Sequence, residues 1–209
     1  MEAKEEIKIS VIMPVYLGKY KEAGIDRENK LVRAVSSVLE QSYSVHEIII
    51  IADGCKRTPE LIHEYFSDND PIRLIEIPKQ KNFSGIPRNE GINAATGDII
   101  CYLDSDDYFG VDHMKKIAEK FDYKNYPWCF FDDMTYYDGR FSARGCKLYH
   151  GRCGTSNIAH RTDIKERWNL YNSYGSDDWG FIKKLLHHKF QRIGQAQYCV
   201  CHIPKRYDV

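Results

Sequence analysis

The sequence has no excess of charge of either sign: thirty Lys and Arg balance thirty Asp and Glu over 209 residues. That argues against a large surface for polyanions, so no nucleic-acid partner is expected, although a local basic patch would still fit. No run approaches the ~18 consecutive apolar residues of a membrane-spanning helix. The opening MEAKEEIK lacks the apolar stretch of a secretory signal. A cytoplasmic protein is the expectation, with room for peripheral association at the inner face of a membrane. Low-complexity tracts, repeats and a Pro/Gly-rich linker are also missing, so residues 1–209 read as one domain with two lobes, 7–122 and 123–209. Cysteine pairing motifs are absent too. The seven cysteines, at 55, 101, 129, 146, 153, 199 and 201, are odd in number, which points to reduced thiols. No second CxxC pair completes a zinc tetrahedron. Cys199-Val200-Cys201 reads as strand alternation that puts both thiols on one buried face.

Hydrophobic residues make up 43% of the chain, enough for a sizeable core. IKISVIMPVY (7–16) is β-rich and is expected to stop at Pro14, which is barred from central ladder positions. After a polar loop over 17–30, KLVRAVSSVLEQSY places Leu31, Ala34, Val35, Val38 and Leu39 on one helical face. HEIIIIADG (46–54) is a second buried strand. RTPELIHEYF follows as a helix with Thr58 as N-cap and Pro59 in its first turn. PIRLIEI (71–77) is a third strand, RNEGINAAT (88–96) a short helix closed by Gly97, and GDIICYL the fourth strand. VDHMKKIAEKF (111–121) is again helical. Four apolar strands alternating with helices predict an α/β fold with a mostly parallel, three-layer sheet. Beyond 122, the aromatic YPWCFFDDMTYYDGRF (126–141) is strand-like with a turn at Asp138-Gly139. GRCGTSN reads as a loop. GSDDWGFIKKLLHHKF (175–190) reads as a helix capped by Ser176, with His187-His188 complementing its dipole, and AQYCVCHI (196–203) as a closing strand.

In open parallel sheets, ligands collect beyond the carboxyl ends of the strands. Three sets of residues fall there: Pro14-Val15-Tyr16, Asp53-Gly54 and the run Asp104-Ser105-Asp106-Asp107. Three carboxylates within four positions repel one another unless a positive partner or water offsets them.

With these elements in order, the chain resembles the family 2 glycosyltransferases. Four features carry the resemblance: Pro14-Val15-Tyr16 at the first strand end, AVSSVLEQSY followed by EIIIIADGC, the stretch NFSGIPRNEGINAATGDIICYLDSDDYF, and SDDWGF opening a late helix. The match is strong over 7–122 and weaker over 126–203. The resemblance implies the GT-A fold, a Rossmann-like three-layer α/β/α arrangement with a nucleotide-sugar-binding part (7–122) and a smaller C-terminal acceptor-side part (123–209). It implies transfer of a sugar from a nucleotide diphosphate donor, UDP-linked by preference, to the hydroxyl of a glycan, a lipid-linked molecule or another acceptor. An inverting outcome and dependence on a divalent ion, Mn²⁺ or Mg²⁺, are part of that expectation.

The roles that follow from the resemblance are specific. Asp106 is the first choice as metal ligand, Asp104 faces the ribose or the metal, and Asp107 stands behind them. Asp53 accepts from the uracil N3–H, and Tyr16 stacks on or borders the base. Arg88 meets ribose and phosphate oxygens by fork geometry, Gly85 lets backbone approach the donor, Asn89 orients the loop, and Ser105 lies within the acidic motif. Asp178 is the expected base, with Asp177 beside it and Phe181 and Ile182 anchoring its helix. Trp179 forms a sugar wall or packs inside. His202 reaches the metal or the diphosphate.

The chain departs from the family pattern at Ala52, where an aspartate is usual, and at Leu17, where an asparagine is common and an insertion follows up to Lys30. Two other readings stay open on sequence. A sugar-nucleotide nucleotidyltransferase would use similar carboxylates, but no Gly-rich, Lys/Arg-bearing loop follows the first strand. A noncatalytic nucleotide- or sugar-binding relative would keep the fold alone. Without long amphipathic extensions before Val209, one sugar per event is the simpler expectation.

Overall fold

The computed structural model describes residues 6–20, 24–80, 84–137, 140–170 and 177–201, apart from the side chains of Tyr137, Asp177, Gln195 and Ala196. The expected turn at Asp138-Gly139, the cap at Ser176 and the whole of His202 lie outside the described residues. The elements run β1 (Ile9–Val15), α1 (Arg27–Leu39), β2 (Glu47–Asp53), α2 (Arg57–Phe66), β3 (Ile72–Ile77), α3 (Gly85–Ala94), β4 (Ile99–Tyr102), β5 (Tyr108–Phe109), α4 (His113–Lys120), β6 (Trp128–Tyr137), β7 (Arg140–Arg144), β8 (Ile158–Arg161), α5 (Asp177–Leu185) and β9 (Phe190–Val200).

The strands form one sheet in the order β3-β2-β1-β4-β8-β6-β9-β5, with β7 on β6. The first four are parallel throughout. Beyond β4, β8 pairs antiparallel with β4 and β6, while β6 and β9 run parallel. Strand alternation divides the core between two faces. Val11, Met13, Val15, Ile48, Ile50 and Cys101 meet α1, α2 and α4 through Leu31, Val35, Leu61, Ile62, Met114 and Ile117. On the other face, Ile12, Ile100, Tyr102 and Trp128 meet Ile92 of α3 and Phe181, Ile182 and Leu185 of α5. The result is the expected three-layer α/β/α fold. Among the described residues no helix is long and apolar enough to cross a membrane.

Several expectations are corrected. Pro14 does not end the first strand: it pairs with Ile51 inside β1. The carbonyl of Ile12 accepts from Leu103 N–H of the β4 side at 3.1 Å, and Pro14, two residues on, faces that same side after the β1–β4 ladder has ended at Ile12–Tyr102. Its missing N–H therefore costs no rung. The helix after β2 opens at Arg57, so Thr58 lies inside it, buried, and does not cap it. The helix carrying Arg88 opens at Gly85, with Pro87 tolerated in its first turn. The late helix stops at Leu185, and β9 starts at Phe190 where a helix was expected. Cys199 and Cys201 are both buried, as alternation requires.

Candidate active site

The strand order places β1 between β2 and β4, so the carboxyl ends of these strands meet at one rim. Two groups of side chains assemble there.

The first group sits at the β2 end. Asp53 is only 6% exposed and its two oxygens are both engaged, Oδ1 by the Gln80 N–H at 2.7 Å and Oδ2 by Lys79 Nζ at 2.6 Å. The same ammonium lies 4.1 Å from the centroid of the Tyr16 ring, a cation–π contact. Tyr16 in turn stacks on Tyr20 at 6.2 Å, and the Arg27 guanidinium lies over Tyr20. Arg27 also donates to the carbonyls of Tyr16, Leu17 and Gly18, which pins the loop after β1 to the start of α1. The Val15 side chain is buried in the core, while Pro14 and Tyr16 on either side of it are partly exposed.

The second group forms around Arg88. Its guanidinium is almost fully buried, donates to Asp104 Oδ1 at 2.9 Å and stands 3.9 Å from Asp178 Oδ1. The two carboxylates remain partly exposed, at 32% and 44% of their side chains. Arg88 rests 4.6 Å above the Trp168 ring, and Trp168 stacks on Phe181 of α5 at 4.2 Å and 18°. Phe181 and Ile182 thus anchor α5, as the helix pattern implied, while Asp178 stays at the surface and accepts from Thr155 Oγ1. Asn89 clamps the Trp168 backbone from both sides, accepting its N–H at 2.8 Å and donating to its carbonyl at 3.0 Å. Asn89 therefore orients the chain under Arg88. Gly85 is buried at the start of α3, and Trp179 packs against the second core.

The acidic run divides into different environments. Asp104, Ser105 and Asp106 are partly exposed at the turn beyond β4. Arg33 of α1 holds that turn, donating to the Asp106 carbonyl at 2.9 Å while lying 4.9 Å over the Tyr108 ring. Asp107 is fully buried, accepting from Tyr198 Oη and, at 2.7 Å, from Cys201 N–H. Burial, reinforced by the Asp107 charge, pushes the Tyr198 hydroxyl far above its ordinary range, which keeps it a donor. Asp107 thereby ties the motif to β9. His187 and His188 follow the C-terminal end of α5 at Leu185, and His188 Nε2 lies 2.7 Å from Glu166 Oε1.

Asp104 and Asp106 are hard oxygen donors on either side of one residue, which suits Mg²⁺ or Mn²⁺. Among the described residues no three His, Cys, Asp or Glu side chains converge as a metal site. This pattern fits an ion that takes one or two protein carboxylates and completes its shell with substrate phosphate and water.

Residues 10–189 match the family model Glycosyl transferase family 2. The chain belongs to that family. Among curated relatives of this glycosyltransferase family, the Streptococcus pneumoniae glycosyltransferase GlyA is 30% identical over 113 residues, 54% of this chain and 15% of GlyA. A poly(ribitol-phosphate) beta-N-acetylglucosaminyltransferase, TarP of Staphylococcus aureus, is 28% identical over 118 residues, 56% of this chain and 32% of TarP. Among solved structures, residues 1–349 of S. aureus TarS superpose with a TM-score of 0.72 at 19% identity, covering 93% of this chain and 60% of that one. TarS 1–349 in complex with UDP-GlcNAc gives 0.71 at 18% identity, with 93% and 58% covered. These superpositions show the GT-A fold. The chain spans less than half the length of these curated relatives.

Three supporting residues were not picked out from the sequence. Trp168 lies in a stretch with no clear period, yet it carries Arg88. Thr155 falls in the GRCGTSN loop. Lys79 is one of thirty basic residues, with no motif to distinguish it. The signal that could have found Lys79 is its place immediately after β3, beside the β2 end, in a parallel sheet.

Proposed function

We propose that this glycosyltransferase family member moves a sugar from a nucleoside diphosphate donor, UDP-linked by preference, to an acceptor hydroxyl with inversion and with help from a divalent cation. The observation that carries the proposal is Arg88: one buried guanidinium with Asp104 at 2.9 Å on one side and Asp178 at 3.9 Å on the other. A rigid fork backed by Trp168 suits phosphate or ribose oxygens, and its burial strengthens each charge-assisted bond. The solved TarS complexes hold UDP and UDP-GlcNAc, which supports a uridine donor.

In this reading Tyr16 and Asp53 bound the base, Arg88 and Asp104 orient the ribose and diphosphate, and Asp178 takes the proton of the attacking hydroxyl. The Thr155 hydroxyl donates to Asp178 Oδ1 and fixes that carboxylate in place. Attack comes from the side of the anomeric carbon opposite the leaving diphosphate, so the transferred sugar inverts. Asp104 and Asp106 would hold Mg²⁺ or Mn²⁺, which would supply Lewis-acid stabilisation to the departing diphosphate. Asp177 and His202 keep the roles that the family resemblance implies, Asp177 beside the base and His202 toward the metal or the diphosphate.

The test compares Asp178→Asn with Asp106→Asn in assays of nucleoside diphosphate release and donor binding. Asp178→Asn is expected to lose about 10²-fold or more in turnover while still binding UDP, as removal of a general base does. Asp106→Asn is expected to lose metal-dependent UDP binding. Unimpaired turnover in Asp178→Asn would place the base elsewhere, and unchanged metal-dependent binding in Asp106→Asn would remove it as a ligand.

A further inference from the structure

Lys79 is set against the β2 end by backbone geometry. Gly54 turns the chain at φ +66°, and a Cβ there would lie 2.4 Å from the Lys79 nitrogen, so only glycine lets residues 78–80 lie flush against the strand end. That contact brings the Gln80 N–H onto one oxygen of Asp53 and the Lys79 ammonium onto the other, with the ammonium also over the Tyr16 ring. The ammonium is the outer member of the group: the Lys79 side chain is 43% exposed and that of Asp53 8%. An approaching ligand edge therefore meets Lys79 together with Asp53.

A carboxylate alone accepts from any N–H, whether the ring imide of uracil or the amino group of cytosine. An ammonium is donor-only. Side by side and fixed in register, the pair demands an N–H opposite Asp53 and an acceptor opposite Lys79. Resting on the nucleotide-sugar reading above, we infer that Lys79 is a specificity-determining residue for the donor base: with Asp53 on the N3–H of uracil, its ammonium takes the adjoining keto oxygen. Cytosine would oppose it at both points, setting a ring-nitrogen acceptor against the carboxylate and an amino group against the ammonium. A site built to hydrogen-bond a group discriminates strongly against an analogue that leaves its buried polar atoms unpaired.

The experiment is a calorimetric comparison of UDP, CDP and uridine binding at fixed Mg²⁺ by wild-type protein, Lys79→Met and Lys79→Arg, with thermal melts to confirm folding. The expected result is a wild-type preference for UDP over CDP that falls about tenfold in Lys79→Met, the scale of one charge-assisted hydrogen bond. Uridine should weaken in parallel with UDP, and Lys79→Arg should retain most of the preference. An unchanged UDP-to-CDP ratio in Lys79→Met would overturn the inference while leaving the transferase reading intact. Equal weakening of UDP and CDP with uridine unaffected would also overturn it, by moving the ammonium to the diphosphate. Wild-type protein that binds none of the three would instead refute the nucleotide reading itself, and this inference with it.

Discussion

Asp104, Asp106 and Asp107 are chemically alike and nearly consecutive, and only their surroundings separate them. Asp104 faces the rim on a buried guanidinium, while the Asp106 backbone is held by Arg33. Asp107 faces inward, with no exposed surface, and receives the Tyr198 hydroxyl and the Cys201 N–H. Removing its carboxylate strands two buried donors, each of which keeps its desolvation cost without a partner. Asp107→Ala is expected to destabilise the protein by about 2–4 kcal/mol, the range for losing hydrogen bonds to a buried charged group. Asp107→Asn should cost less, since the amide oxygen can still accept from Cys201 and the Tyr198 oxygen can accept from the amide nitrogen. Urea denaturation of both variants beside Asp104→Ala checks this. An Asp107→Ala curve no less stable than that of Asp104→Ala would mean that the tie to β9 contributes nothing. The acidic motif was legible in the sequence as a unit, with Asp107 set behind the other two by the family resemblance, but the partners of Asp107 were not, because Tyr198 and Cys201 lie about ninety residues away, on β9 and just beyond its end.

At the scale of elements, α3 sets the position of Arg88, and its fit against the sheet depends on Gly91. An added Cβ there would fall 2.4 Å from Cγ2 of Ile12, a residue with no exposed surface in the middle of β1. Two effects oppose each other in Gly91→Ala. Alanine favours a helix interior over glycine by about 1 kcal/mol, whereas overpacking a filled core costs about 1–3 kcal/mol. Ile12 is enclosed, so the steric cost wins, and a net loss of about 1 kcal/mol is expected in a urea melt; a stabilised variant would show that the helix can move off the strand. The apolar runs that become β1 to β4 and the periodic face of α1 were readable because local pattern and tertiary use agree there. Boundaries set by distant partners were not. Pro87 reads as a stop before the helix although the first turn accommodates it. Leu185, Leu186 and Phe190 fit a continuing helix until β6 pairs Trp128 with Phe190. The four residues of β8 are too short to announce a strand, and they are held where Asn157 donates to the Phe131 carbonyl.

For the whole molecule, the two buried faces of the sheet each enclose a neutral histidine, and this couples global stability to pH. His113 stacks on Phe109 at 4.1 Å in the first core and accepts from the Gln197 N–H at 3.1 Å. In the second, His160 completes a chain beneath Trp168: the indole N–H donates to Tyr102 Oη at 3.3 Å, that hydroxyl donates to His160 Nε2 at 2.7 Å, and His160 Nδ1–H donates to the Arg161 carbonyl at 2.8 Å. Burial drives both imidazoles below their ordinary range, His113 to about 3 and His160 to about 4. In the unfolded chain each would protonate near 6.5. Between those values the unfolded state binds the extra proton, so stability rises with pH and is lost as pH falls below about 6.5. Each histidine should contribute a slope of about 1.4 kcal/mol per pH unit in that window. Glu47 acts lower down. Burial alone would raise its carboxyl, but bonds from Thr96, Ser10 and Arg73 hold it at about 2, so its contribution disappears only as pH falls from about 4.5 toward 2. The interval from pH 6.5 to 4.5 therefore reports on the two histidines. Urea midpoints at pH 7 and pH 5 should show a marked fall for the wild type. His113→Gln should lower stability at pH 7 through lost packing, yet remove about half of the pH-dependent fall, because glutamine does not titrate. The double variant with His160→Gln should be nearly flat across the interval. A slope unchanged by both substitutions would mean that neither imidazole is held neutral inside the fold.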